Sequence, residues 1–215
     1  PALFRGTLLT AAKRQEIAKG LSQLLGLEEA YILRSDLRVL VPRFVKELLR
    51  QDGQTVGRLD SRYTGIETDV MAERPTLGDA ASYAISSAYT AALNDYLANS
   101  LKVDMPRPYL TSNGELYPKW NWRPVPKDKG WEPSYGNVAR KLGDAMRKNK
   151  DLRVMVANGY YDLVTPFFDA EYTFARHGIL KEQVEMRYYE AGHMMYTHQP
   201  DLKQLATDIR IFLQE

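Results

Sequence analysis

Residues 153–162 read Arg-Val-Met-Val-Ala-Asn-Gly-Tyr-Tyr-Asp, and residues 184–193 read Val-Glu-Met-Arg-Tyr-Tyr-Glu-Ala-Gly-His. Val154, Met155, Val156 and Ala157 form a nearly continuous apolar run that Asn158-Gly159 stops, the pattern of a parallel strand covered on both faces. Val184 to Tyr189 reads as a second strand. Between them, Thr165-Pro166 supplies a cap and a proline at the first helical position. Phe167, Phe168, Tyr172 and Ala175 continue at helical spacing until Gly178. Strand, helix and strand with short connections predict a right-handed βαβ unit, its strands parallel and about 4.8 Å apart if they are neighbours.

Asp162 lies four positions beyond Asn158, and His193 lies four beyond Tyr189. Matched offsets past the carboxyl ends of parallel strands bring both side chains to one rim, where open α/β sheets hold their sites. A carboxylate there accepts a hydrogen bond from one imidazole nitrogen and leaves the other to handle a proton. The pair makes two thirds of a hydrolase triad, and acid before histidine is the chain order of an α/β-hydrolase.

Gly159-Tyr-Tyr-Asp162-Leu-Val-Thr-Pro166 resembles the acid motif Gly-Asp-x-Asp-x-x-x-Pro of the serine carboxypeptidases. Ala191-Gly-His193-Met194, followed by Gln199-Pro200, resembles their histidine motif, most closely that of bacterial members. The chain departs from the family at Tyr160, usually Asp, and at Met195, Tyr196 and His198, where Val, Pro and Asp are common. The match lies from residue 153 onward and is diffuse before residue 150.

The resemblance implies the C-terminal part of an α/β-hydrolase, with residues 133–215 forming the end of the core. Residues 1–132 are then a mostly helical cap insertion with a long aromatic-rich loop. It further implies a serine carboxypeptidase acting on a peptide substrate without a cofactor, catalysis through Asp162 and His193, and Met194 lining the pocket for the departing residue. By the same resemblance the protein is exported, periplasmic or extracellular. An esterase or acyltransferase uses the same scaffold and differs in what attacks the acyl-enzyme. From another class, a non-catalytic binding module would use the aromatic loop at 109–131.

An activated serine needs a strained strand-to-helix turn with small neighbours. No serine here has glycine on both sides. Ser134, in Pro133-Ser134-Tyr135-Gly136-Asn137, echoes the family's Glu-Ser-Tyr-Gly-Gly but has no strand before it, and it reads as the cap of the helix that follows. The nucleophile is therefore expected outside these residues. A missing N-terminal half would carry it, together with the strands that an isolated two-stranded sheet needs as neighbours. His177 reads as a cation in the last turn of its helix. His193 and His198, five apart across a loop and a proline, lack ligand spacing, so no metal is expected.

The whole composition agrees with one sizeable core or two small ones: 215 residues, 44% hydrophobic and 26% charged. A net charge of +2 predicts no strong attraction to nucleic acid or anionic membrane. The lack of cysteine excludes disulfides and a thiol nucleophile without assigning a compartment. No apolar run is long enough to span a bilayer, and the opening Pro1-Ala-Leu-Phe suggests a piece of something longer.

Apolar spacing predicts helices over 10–25, ended by Gly26, and over 37–49, broken by Gln51-Asp52-Gly53. Residues 54–78 read as loop with weak strand character near Thr55-Val56. Residues 80–102 give the longest helical signal, burying one face through Ile85, Tyr89, Leu93 and Tyr96. From 103 to 133 six prolines accompany Tyr109, Tyr117, Trp120, Trp122 and Trp131, rings that either anchor the loop or line a cleft. Helices over 135–148 and from Pro200 onward complete the pattern, the last one packing on the sheet and pinning the histidine loop.

Overall fold

The computed structural model describes residues 2–104, 107, 109–123, 128, 130 and 136–214, which combine helix with two small sheets. They divide into two compact units, Pro1–Ala84 with Tyr161–Val164 and Glu190–Met195, and Ile85–Tyr160 with Thr165–Tyr189 and Tyr196–Glu215. The expected domain boundary at 132/133 and Ser134 both lie outside the described residues. None of the helices among them is long and apolar enough to cross a membrane.

The first unit begins with α1 (Ala2–Arg5) and α2 (Ala11–Leu25). Thr10 Oγ1 accepts from the Lys13 N–H at 3.2 Å and opens α2, while Gly26, at φ 71°, closes it in the left-handed region a side chain would resist. With α3 (Glu29–Arg34), α2 encloses Ala18, Leu27, Ile32 and Leu37. A fully buried side chain such as Ile32 contributes about 2 kcal/mol by leaving water.

The helix expected over 37–49 is shorter: α4 runs Val41–Glu47. Leu37, at φ 62°, turns the chain instead, and Pro42, which has no N–H to donate, sets the helix start. The stretch read as loop contains an antiparallel pair, β1 (Gln54–Val56) and β2 (Thr64–Ile66), with Thr55 opposite Gly65. A Cβ on Gly65 would come within 1.5 Å of Tyr83 Oη, so a larger residue there requires the partly exposed Tyr83 side chain to move. Lys46 of α4 is fully buried, its Nζ 2.7 Å from Glu67 Oε2.

The second unit is built on β3 (Val154–Gly159) and β4 (Val184–Tyr189), parallel and in register from Val154↔Val184 to Gly159↔Tyr189. This is the parallel pair the apolar runs predict, but β3 is not covered on both faces: Val154, Met155 and Val156 are half-buried and Ala157 is exposed. Hydrophobic content specifies what a strand can bury, while coverage requires partners on each side.

Side-chain alternation sends Tyr188 to one face, where its hydroxyl donates to Glu171 of α8 (Phe167–Phe174) at 2.6 Å. Tyr189 goes to the other, donating to Asp208 of α9 (Gln199–Gln214) at 2.9 Å. Arg153 also meets α9, its guanidinium 4.5 Å from the Phe212 ring centroid. The crossover helix starts one residue later than expected, with Pro166 at its N-cap and no side-chain cap.

Two further expectations are corrected in this unit. α5 (Ala80–Asp95) continues into a π-helical turn, Tyr96–Ser100, but its face is not buried: Tyr89 and Tyr96 are each 51% exposed. The helix expected from 135 begins at 139, as α7 (Ala139–Lys148), where Asn137 Oδ1 accepts from the Ala139 N–H. The described loop rings of Tyr117, Trp120 and Trp122, around the short helix α6 (Leu116–Lys119), are exposed and touch one another, with Trp122 5.2 Å from Tyr117.

Candidate functional site

The chain leaves β3 at Gly159 and reaches Asp162 three residues later; it leaves β4 at Tyr189 and reaches His193 four later. Because Gly159 is the register partner of Tyr189, the offsets differ by one rather than match. The two loops run side by side all the same. Tyr161 N–H donates to the Ala191 carbonyl at 3.0 Å.

Asp162 Oδ2 stands 2.8 Å from His193 Nδ1, and the carboxylate is buried while 40% of the imidazole side chain is exposed. An ionised carboxylate only accepts, so Nδ1 carries the hydrogen and the ring is held in one tautomer. Asp162 Oδ1 accepts from the Val164 N–H at 2.7 Å, which fixes the carboxylate plane through an Asx turn. Met194, the third expected site residue, is half-buried beside His193 in the chain.

The turn between β1 and β2 holds both loops. Leu163 N–H donates to the Arg58 carbonyl and Ser61 N–H to the Tyr161 carbonyl, each at 3.0 Å. His193 N–H donates to the Leu59 carbonyl at 2.7 Å. Asp60, buried, accepts from Gly192 N–H at 3.1 Å and from Arg62 at both oxygens, Nη2 at 2.7 Å and Nε at 3.0 Å. Arg62 Nη1 in turn donates to the Glu190 carbonyl at 2.5 Å, with its guanidinium 4.8 Å from the Tyr161 ring centroid. The Tyr161 hydroxyl donates to Glu190 at 2.7 Å, and that bond raises its pKa.

A Cβ on Gly192 would lie 2.4 Å from both Asp60 Cβ and the Leu59 oxygen. Only glycine allows so close an approach, and the approach is what seats the neighbouring histidine. Asp60 and Arg62 escape sequence reading because turn residues between strands are common, and Gly192 enters it only as part of the Ala191-Gly-His193 motif. The one usable signal is the spacing of Gly57, Asp60 and Gly65 around a compact turn.

The remaining histidines lie elsewhere. His177 is not in a last helical turn: α8 ends at Phe174, and His177, at φ 58°, lies in the following turn with Nε2 3.3 Å from Asn137 Nδ2. His198 Nδ1 hydrogen-bonds Asp201 in the first turn of α9. Among the described residues, no three His, Asp or Glu side chains are grouped to hold a metal. Comparison with family models, curated proteins and solved structures finds no match to this chain.

Proposed function

We propose that this chain is the C-terminal part of a serine carboxypeptidase-like α/β-hydrolase that releases C-terminal residues from peptides. The observation carrying the proposal is the 2.8 Å contact between Asp162 and His193, two residues in the chain order of that fold, each a few residues past the end of one of two parallel strands. Residues 133–215 form the end of the hydrolase core and residues 1–132 a helical cap. The half-covered two-stranded sheet supports this reading, since such a sheet gains stability from further strands.

In the reaction, a serine from outside these residues attacks the scissile carbonyl while His193 Nε2 takes its proton. Asp162 stabilises the imidazolium so formed. His193 then returns the proton to the leaving amine, and water repeats the sequence on the acyl-enzyme. Met194 packs against the departing residue.

The test is fluorophosphonate labelling of native material, including any polypeptide that accompanies the chain, with the modified residue mapped by mass spectrometry. The expected label sits on a serine outside residues 1–215, and His193→Ala abolishes it together with peptide hydrolysis. Labelling within these residues, or labelling and hydrolysis that survive His193→Ala, overturns the reading.

A further inference from the structure

The first unit contains a cavity that neither Asp162 nor His193 lines. Pro42 and Val45 of α4, Val56 of β1 and Pro75 form the apolar lining of a cavity of about 290 Å³, completed by Arg58, Arg74, Gly78 and Asp79. Val45 and Val56 are buried and form an apolar floor. The volume is at the lower end of those that hold small organic molecules.

The charge of the cavity is decided by how its three ionic groups are satisfied. Asp79 Oδ2 accepts from the N–H groups of Arg58 and Leu59 at 2.9 and 3.1 Å, and Oδ1 from those of Ala81 and Ser82 at 2.9 and 3.1 Å. Four backbone N–H dipoles, two of them in the first turn of α5, therefore hold and stabilise this carboxylate. Arg58 Nε stands 3.7 Å from Asp79, beyond hydrogen-bond length, and its side chain is 54% exposed. Arg74 is likewise exposed. Arg58 and Arg74 thus line an apolar cavity whose lining carboxylate, Asp79, is hydrogen-bonded to the backbone and only loosely paired with Arg58.

We propose that this cavity binds a small organic carboxylate with a branched apolar body, the carboxylate held by Arg58 and Arg74 and the body against Val45, Val56 and Pro75. Guanidinium matches carboxylate geometry with two parallel donors, and desolvated apolar walls exclude inorganic anions of the same charge. The site lies outside the Asp162–His193 pair and does not depend on the hydrolase reading. The acid is either a free molecule or the terminus of a peptide, both presenting the same chemistry.

Methyl NMR of the 215-residue chain tests it, with Val45 and Val56 as reporters and four probes: N-acetyl-L-leucine, N-acetyl-L-leucinamide, acetate, and a tetra-alanyl-leucine peptide with a free C-terminus. N-acetyl-L-leucine is expected to shift both valines with a Kd of about 1 mM or below. The amide and acetate should each bind about tenfold more weakly, a difference near 1.4 kcal/mol. Arg58→Gln and Arg74→Gln should each weaken the acid about fivefold or more, at unchanged circular dichroism and melting temperature. The peptide binding as well as the small acid identifies a chain terminus as the ligand, and the small acid alone a free acid; both support the site. Equal binding of acid and amide, equal binding of acetate, or unshifted valines at ~10 mM acid overturns it.

Discussion

Asp60 accepts the backbone N–H of Gly192 at 3.1 Å across 132 positions of sequence. Through that bond, and the one from His193 N–H to the Leu59 carbonyl, the turn between β1 and β2 becomes the seat of the histidine loop. A hairpin turn far from the acid and the histidine in sequence thus sets the geometry of both.

Gly192→Ala should show how closely this seat is fitted. Its Cβ would meet backbone and Cβ atoms of Leu59 and Asp60 at 2.4 Å, which cannot rotate away as a flexible side chain could. The expected cost is about 1–3 kcal/mol in urea denaturation, as for other overpacked sites, with displaced His193 ring resonances. Wild-type midpoint and ring shifts would refute the fit.

Asp162→Asn keeps the size of the side chain while an amide can donate to Nδ1 as well as accept. His193 then loses its single enforced tautomer. On the proposed hydrolase reading, kcat should fall by about 10⁴, the scale seen when a triad carboxylate becomes an amide. In the chain alone, the downfield Nδ1–H proton signal should disappear with the melting temperature little changed.

Lys46→Met should be among the most damaging single changes in the first unit. It strands the Glu67 carboxylate, whose side chain is 1% exposed, without its ammonium partner. Removing one member of a buried pair costs about 3–5 kcal/mol. Urea denaturation should show that loss, and the double variant Lys46→Met with Glu67→Leu should recover only part of it, because it removes the unpaired charge but leaves the N–H groups of Thr68, Asp69 and Thr76 without their acceptor.

Glu67 also predicts an acid limit to stability. Burial pushes its carboxyl up, but hydrogen bonds from Lys46 and Thr76 and from the backbone at Asp69 and Thr76 outweigh burial and lower it from 4.5 to about 2. A depressed carboxylate pKa stabilises the folded state fully above the unfolded value. That contribution declines as pH falls from about 4.5 and is gone near 2. Urea midpoints measured between those limits should fall more steeply for the wild type than for Glu67→Gln; parallel profiles would contradict the assignment.

The Asp162–His193 pairing is legible in the sequence because its causes are local. A continuous apolar run, a turn at Asn158-Gly159, a helix after Pro166 and a second run are features of neighbouring residues, and a short crossover leaves two such strands few arrangements but parallel ones. The offset from strand to side chain was less legible, since it depends on which residue ends each strand. Register, a property of the pair, decides that.

Residues 54–78 read as loop because glycines and charges mask a three-residue strand, and three residues offer too little alternation to count. Their importance comes from what they touch. Backbone carbonyls at Arg58 and Leu59, and a carboxylate at Asp60, serve as acceptors only once distant loops arrive beside them.

By itself, the sequence determined where strands, helices and turns can form and in which order acid and histidine occur, because these follow from propensities and spacing within a few residues. Tertiary structure alone decided which apolar faces are covered, which glycines admit no side chain, and that a hairpin turn holds Asp162 and His193 at hydrogen-bond distance. Those outcomes rest on contacts between separate segments, more than a hundred residues apart at the Asp60–Gly192 seat, and no local pattern in the chain encodes such a contact.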